Sequence, residues 1–267
     1  HPELQTLKKV EPLLLEGNAY PIALGFTAAD GLDPRASGKK ILQALHERFL
    51  RGEPITLDTE EMNGFLGGTA KRDAWQNRFK SLDCNPRVES DCADRVIAEV
   101  TPLDTQDARL GVLLNRYELM IHEEHFFESQ ERDAYTPGPP YGRILDVGRV
   151  RLAMSLRQSS TSDLLTKAAE DFRFWTNMLR EGDTLVAKMI SLAGMQNTLD
   201  FLSALLRRRE LTESEIQTIR HFLRPMTAEE FDIGEAFLSE ARIAVLSETP
   251  PVAMSSSWFV RWSLQRN

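Results

Sequence analysis

Cysteine is nearly absent: the 267 residues hold two, Cys84 and Cys92. Without a third or fourth thiol there is no set of cysteines for tetrahedral zinc. The two lie in SLDCNPRVESDCADRV with seven residues between them. This close pairing predicts a disulfide, Cys84–Cys92, that staples a loop ahead of a helix. A disulfide in turn predicts an oxidising compartment, for which the bacterial periplasm is the expectation. Long apolar runs are missing, and none approaches the roughly 20 residues of a membrane span. Basic excess is missing as well: the net charge of −8 argues against a general nucleic-acid binder. Gly64, Gly67 and Gly68 are followed by Thr-Ala-Lys and lack the Lys-Ser/Thr pair of a phosphate loop, so they read as a turn. A Gly-x-Ser-x-Gly elbow is absent too, and Ser255–Ser257 read as a polar turn.

What is present is helical periodicity. In Ser162–Arg209, Leu164, Ala168, Phe172, Trp175 and Leu179 recur at steps of three and four. After a break at Gly182-Asp183, Leu185, Met189, Leu192, Leu199, Leu202 and Leu206 repeat the pattern. Val186, Ile190, Ala193 and Leu205 widen that second stripe, so Thr184–Arg207 is predicted as the central helix. Asp33-Pro34 opens another helix with Ile41, Leu42, Leu45 and Phe49 inward, closed at Gly52. Asn18–Gly38 reads as a loop lying on the core through Tyr20, Ile22, Leu24 and Phe26. A short helix is expected after Ser90 through Val96 and Val100, a longer one from Asp104 or Thr105 with Leu110, Leu113, Leu114, Tyr117 and Met120 inward, then Ile144–Gln158. Thr212-x-x-Glu215 and Thr227-x-x-Glu230 have the form of capping boxes. Trp75 and Phe79 read as a core pair.

The expected fold is therefore all-α: an irregular multi-helix bundle with a non-helical C-terminal segment. Tyr135-Thr-Pro-Gly-Pro-Pro-Tyr141 is the strongest punctuation, since its prolines remove donors and hold the backbone extended. It suggests a helical half over 1–134, a connector over 135–143 and a second half over 144–267, which also have the option of packing as one domain.

Candidate chemistry is sparse. His122-Glu-Glu-His125 puts two histidines three apart on a helix, whereas the zincin arrangement needs a spacing of four. It reads as a solvated helix end, and neither metal nor cofactor is expected. Asp171, Arg173 and Lys188 are charges set inside apolar patterns. They read as snorkelling or ion-paired side chains, or alternatively as an interhelical polar site. Trp258, Phe259, Arg261 and Trp262 combine the residue types that dominate binding hot spots, against plain core packing.

Asn18-Ala-Tyr-Pro-Ile-Ala-Leu-Gly25 with Asp33-Pro34 and Gly38, the cysteine pair, Pro140-Tyr141-Gly142, Asp171-Phe-Arg-Phe-Trp175 and Lys188-Met189-Ile190 form a distributed pattern. It resembles a group of proteobacterial proteins of unknown function that carry a short N-terminal membrane anchor ahead of a periplasmic helical domain. The resemblance implies an anchor upstream of His1 and an envelope location, and implies no activity. Taken together, the expectation is a non-catalytic periplasmic protein that makes protein–protein contacts at the cell envelope, as an assembly subunit or an inhibitor or immunity-type protein. The alternatives are an envelope hydrolase using the Asp171, Arg173, Lys188 site, and a lipid or small-ligand cavity lined by Met178, Met189 and Met195.

Overall fold

The computed structural model describes residues 16–68, 79–84, 88–100, 107–128, 136–228 and 230–246. Among them are ten α-helices and no strand: α1 Tyr20–Leu24, α2 Pro34–Leu50, α3 Thr59–Leu66, α4 Cys92–Glu99, α5 Ala108–Ile121, α6 Tyr141–Gln158, α7 Thr161–Glu181, α8 Leu185–Arg208, α9 Glu213–Phe222 and α10 Gly234–Leu246. The all-α expectation holds. Trp75 and the C-terminal segment with Trp258, Phe259, Arg261 and Trp262 lie outside the described residues.

Local chemistry starts most of these helices. Side chains of Asp33, Asp107, Ser160, Thr184 and Thr212 each accept a backbone N–H from the first turn of α2, α5, α7, α8 and α9. The Asn18–Gly38 stretch contains a helix rather than only loop. Its five-residue α1 carries Pro21 at the start and buries every side chain. Here α1 and α2 touch through backbone: a Cβ on Gly25 would overlap the Pro34 carbonyl, and one on Gly38 the Pro21 backbone. Asn18 ties this corner to the chain after α5, donating to the Phe127 carbonyl and accepting the Phe127 N–H, both at 3.0 Å. The distributed N-terminal pattern is thus a packing device, in which each proline faces a glycine of the other helix.

Val147–Ala153 of α6 are buried at seven consecutive positions, so no face of this helix meets water there. It packs against α4, α5, α7 and α8, while α7 and α8 form the most extensive pair. The central helix is therefore α6 and not α8, which exposes Met189 and Leu206. Arg149 and Arg151 disguise α6 in sequence, since an arginine is almost never fully buried unless it is paired. One hydrophobic cluster runs from Ala19 to Leu205 across the Pro/Gly-rich connector. Among the described residues the two stretches flanking that connector share a single core.

Arginine and lysine side chains bind backbone carbonyls at several turns and helix ends, Arg116 and Lys188 from buried positions. Arg116 donates to the carbonyls of Phe26, Ala28, Ala29 and Leu32 and so shapes the turn after α1. Arg157 reaches the Val100 carbonyl after α4, Arg209 the Leu156 carbonyl near the end of α6, and Lys188 the Leu179 and Arg180 carbonyls at the end of α7. Arg157, Arg209 and Lys188 thus satisfy carbonyls at or near a helix C-terminus and sit at its negative pole.

Candidate functional site

A charged chain enters the core from the α5–α7 surface. Tyr117 and Glu118 come from α5, Arg151 from α6, Glu170, Asp171 and Trp175 from α7, and Thr198 from α8. Asp171 is 1% exposed, and every donor around it is buried. Its Oδ1 accepts the Tyr117 hydroxyl at 2.9 Å and Arg151 at 3.4 Å. Its Oδ2 accepts Trp175 Nε1 and Thr198 Oγ1, each at 3.4 Å. Arg151 also holds Glu118 through Nε at 2.7 Å and an Nη at 2.9 Å, and Glu170 at 2.8 Å. Gly148 makes the first contact possible, because a Cβ there would overlap the Tyr117 ring and hydroxyl that cross α6 towards Asp171.

Burial pushes the Asp171 carboxyl up to about 6, against the opposing pull of Arg151 and the three hydrogen bonds. The Tyr117 phenol is raised well above its usual value, first by burial and then by the Asp171 charge. A carboxyl poised near neutrality is a familiar general-base feature. This one, however, has both oxygens engaged by side chains of its own core and lines neither of the grooves described below.

The three sequence candidates do not meet. Asp171 and Arg173 are two residues apart, about 200° around a helix, and so face opposite ways. Arg173 is exposed on the far face of α7. Lys188 lies beyond the end of α7, where its Nζ donates to the Leu179 carbonyl at 2.5 Å; that carbonyl is roughly 12 Å along the helix from Asp171. Burial lowers the Lys188 ammonium pKa. The partners of Asp171 come from three other helices, and only Trp175, one turn away, was legible beside it.

The two histidines diverge as well. His122 Nε2 lies 3.6 Å from Glu170, and Glu118, His122 and Glu170 offer ligand atoms within 4.8 Å of one another. His125 pairs instead with Glu181 at 3.4 Å. Arg151 already stands between Glu118 and Glu170 as their cation, so a metal at that cluster would have to displace a buried guanidinium. Cys84, Glu89 and Cys92 also cluster, but both sulfurs belong to the disulfide, with the Cα atoms 5.6 Å apart. That bond joins the 3-10 turn Lys80–Asp83 to the first residue of α4.

Two surface features remain. An open groove of about 490 Å³ lies between α7 and α9. Phe172, Phe222 and Met226 line it with apolar surface, Arg173, Arg180 and Arg224 supply its cationic groups, and His221 also lines it. A second space, between α4 and the ends of α6 and α8, is lined by Ile97, Leu156, Arg157, Arg208 and Arg209. The guanidinium groups there are already engaged by carbonyls, Thr161 or Asp94.

No protein-family model, no curated protein and no solved structure matches the chain. What it can do therefore rests on its own surfaces. The other prominent one is the stretch through the start of α10, where Phe231, Ile233, Phe237 and Leu238 are 48%, 39%, 57% and 46% exposed. Ala236 of this helix is buried, and Glu240 accepts the Leu185 N–H at the start of α8 at 3.0 Å. The patch weighed against core packing in the sequence, at Trp258–Trp262, lies outside the described residues. Phe237-Leu238 carried a weaker version of the same signal.

Proposed function

We propose that this chain is a non-catalytic binding protein of the bacterial cell envelope that docks a protein partner through α10. The observation that carries the reading is the set of exposed large apolar residues Phe231 and Ile233, just before α10, and Phe237 and Leu238, on it. Each of the four keeps about half its surface in water and so forgoes part of the roughly 1.5–3 kcal/mol that full burial contributes, and clustered apolar exposure of this kind marks interaction surfaces. The saturated surroundings of Asp171 favour a structural role for the one strongly perturbed carboxyl in the core.

The compartment is part of the same proposal. The Cys84–Cys92 bond supports an oxidising location, and the sequence resemblance supports an envelope anchor. No helix among the described residues is long and apolar enough to cross a membrane. The role is that of an assembly subunit or of an inhibitor or immunity-type protein.

The test is site-specific photocrosslinking in cells, with a photoreactive residue at Phe237 and a control at the exposed Lys39 on α2. A discrete adduct with a second protein from Phe237 alone, lost in Leu238→Glu, is the expected result. If Phe237 yields no heterologous adduct, or one that Leu238→Glu leaves unchanged, the reading fails.

A further inference from the structure

Building on the binding reading but on a different surface, we propose that the groove between α7 and α9 recognises an acidic segment of a protein partner flanked by apolar residues. Its floor is apolar and preformed: the Phe172 and Phe222 rings lie 6.0 Å apart between centroids, with Met226 beside them in the lining. Its charge is unbalanced. Three arginines line it against two glutamates, on a chain of net charge −8.

Both glutamates already have a cation of their own. Glu170 turns to Arg151 at 2.8 Å, on the core side of α7. Glu230 is held by Arg224 and by the Thr227 N–H, which together keep its carboxyl low, at about 2. Arg224 is in turn fixed by that pair and forms a stationary part of the lining. Among the described residues the exposed Arg180 pairs with its half-buried neighbour Glu181. Arg173 is exposed and makes no hydrogen bond or ion pair among the described residues. A guanidinium without a carboxylate, set beside an aromatic floor, selects an anionic group attached to an apolar body.

The shape decides between a polypeptide and a lipid. About 490 Å³ suits a few side chains, within the usual range of roughly 300–1,000 Å³ for binding pockets. The groove is open along the side where Arg173, Arg180 and Arg224 are exposed. A lipid chain would leave much of its length wet there, whereas a peptide strand or helix keeps its polar side outward and lays alternate apolar residues on the floor. Because α9 has no fully buried residue, it can adjust by small shifts to seat that segment.

The experiment is affinity selection of a random peptide library, about twelve residues long, on the purified protein. Three targets are compared: the unaltered chain, Arg173→Glu, and Phe237→Glu with Leu238→Glu. The expected result is enrichment of peptides with Asp or Glu next to Phe, Leu or Met. An enriched peptide should bind Arg173→Glu about tenfold more weakly or worse, and bind the α10 double variant unchanged. An unaltered urea midpoint for Arg173→Glu separates lost binding from lost folding, since this side chain touches no partner. Enrichment of basic peptides, absence of enrichment, or enrichment that survives Arg173→Glu would overturn the proposal. So would saturable binding of dodecanoate to the groove with no peptide enriched. If α10 yields no crosslinked partner while the library result stands, the groove survives and the α10 docking surface falls.

Discussion

Arg151 is 3% exposed and touches three carboxylates, and the physics of that arrangement is asymmetric. Removing Asp171's charge leaves the guanidinium with Glu118 and Glu170. Removing the guanidinium leaves Asp171 buried among neutral donors. Arg151→Met should therefore cost about 3–5 kcal/mol in urea unfolding, and Asp171→Asn clearly less; equal losses would count against this account. The Asp171 carboxyl, raised to about 6, also sets a pH dependence. Folded protein binds this proton more tightly than unfolded chain, so the contribution of this group to stability grows as pH falls through 6 and levels off near 4. Glu230, held at about 2, works in the opposite sense: its contribution is present above its ordinary value and lost as pH falls through 2. Between pH 7.5 and 5.5 the Asp171 effect is the one to isolate. The urea midpoint should rise over that interval in the unaltered chain by more than in Asp171→Asn, and parallel profiles would refute the assignment. Asp171 was legible as a charge out of place, but Arg151, Tyr117 and Thr198 were not, because only tertiary packing brings four helices to one carboxylate.

At the scale of elements, capping chemistry was the most legible signal. Asp33-Pro34 and Thr212-x-x-Glu215 mark α2 and α9, and the break at Gly182-Asp183 falls between α7 and α8. Thr227 and Glu230 make the reciprocal bonds of a capping box, yet α10 starts only at Gly234, so a local motif formed without the helix it usually opens. The short helices α1 and α3 were missed because five and eight residues hold too few turns to show a periodicity. The identity of the central helix was hidden for a related reason: Arg149 and Arg151 look exposed until the carbonyls and carboxylates they serve are in place. Helix contact itself depends on small residues. A Cβ at Gly194 on α8 would overlap the Trp175 indole on α7, whereas one at Gly111, in the first turns of α5, meets nothing within 4 Å. Gly194→Ala should destabilise by about 1–3 kcal/mol through overpacking, and Gly111→Ala should stabilise by about 0.5–1 kcal/mol through reduced backbone entropy. Opposite signs in denaturant titrations are the diagnostic, and a neutral Gly194→Ala would mean that α7 and α8 are less closely seated.

For the whole molecule the question is whether the Pro/Gly-rich connector divides anything. Its last proline, Pro140, does stand at the N-cap of α6, where a missing N–H costs nothing. Yet α6, on the far side, packs against α4 and α5 from the near side, and α8 also reaches α4. The aromatic line Tyr20, Phe126, Phe174, Trp175 crosses the same boundary, with successive ring centroids 5.6, 6.2 and 4.9 Å apart. The Cys84–Cys92 bond reinforces only one corner of this shared core. Its small loop should add about 2–3 kcal/mol, so reductant should lower the urea midpoint without splitting the transition. A chain with no internal seam unfolds in one step, whereas two halves joined by a linker would show two. Fluorescence of Trp175, which lies at the junction, and far-ultraviolet circular dichroism should therefore trace the same urea curve. Residues 144–267 expressed alone should show no cooperative transition, because the Val147–Ala153 stretch would lose α4 and α5, two of the four helices that cover it. A fragment that folds by itself, or two separated transitions in the intact chain, would mean that the connector is a true boundary and that α6 belongs to the second half alone.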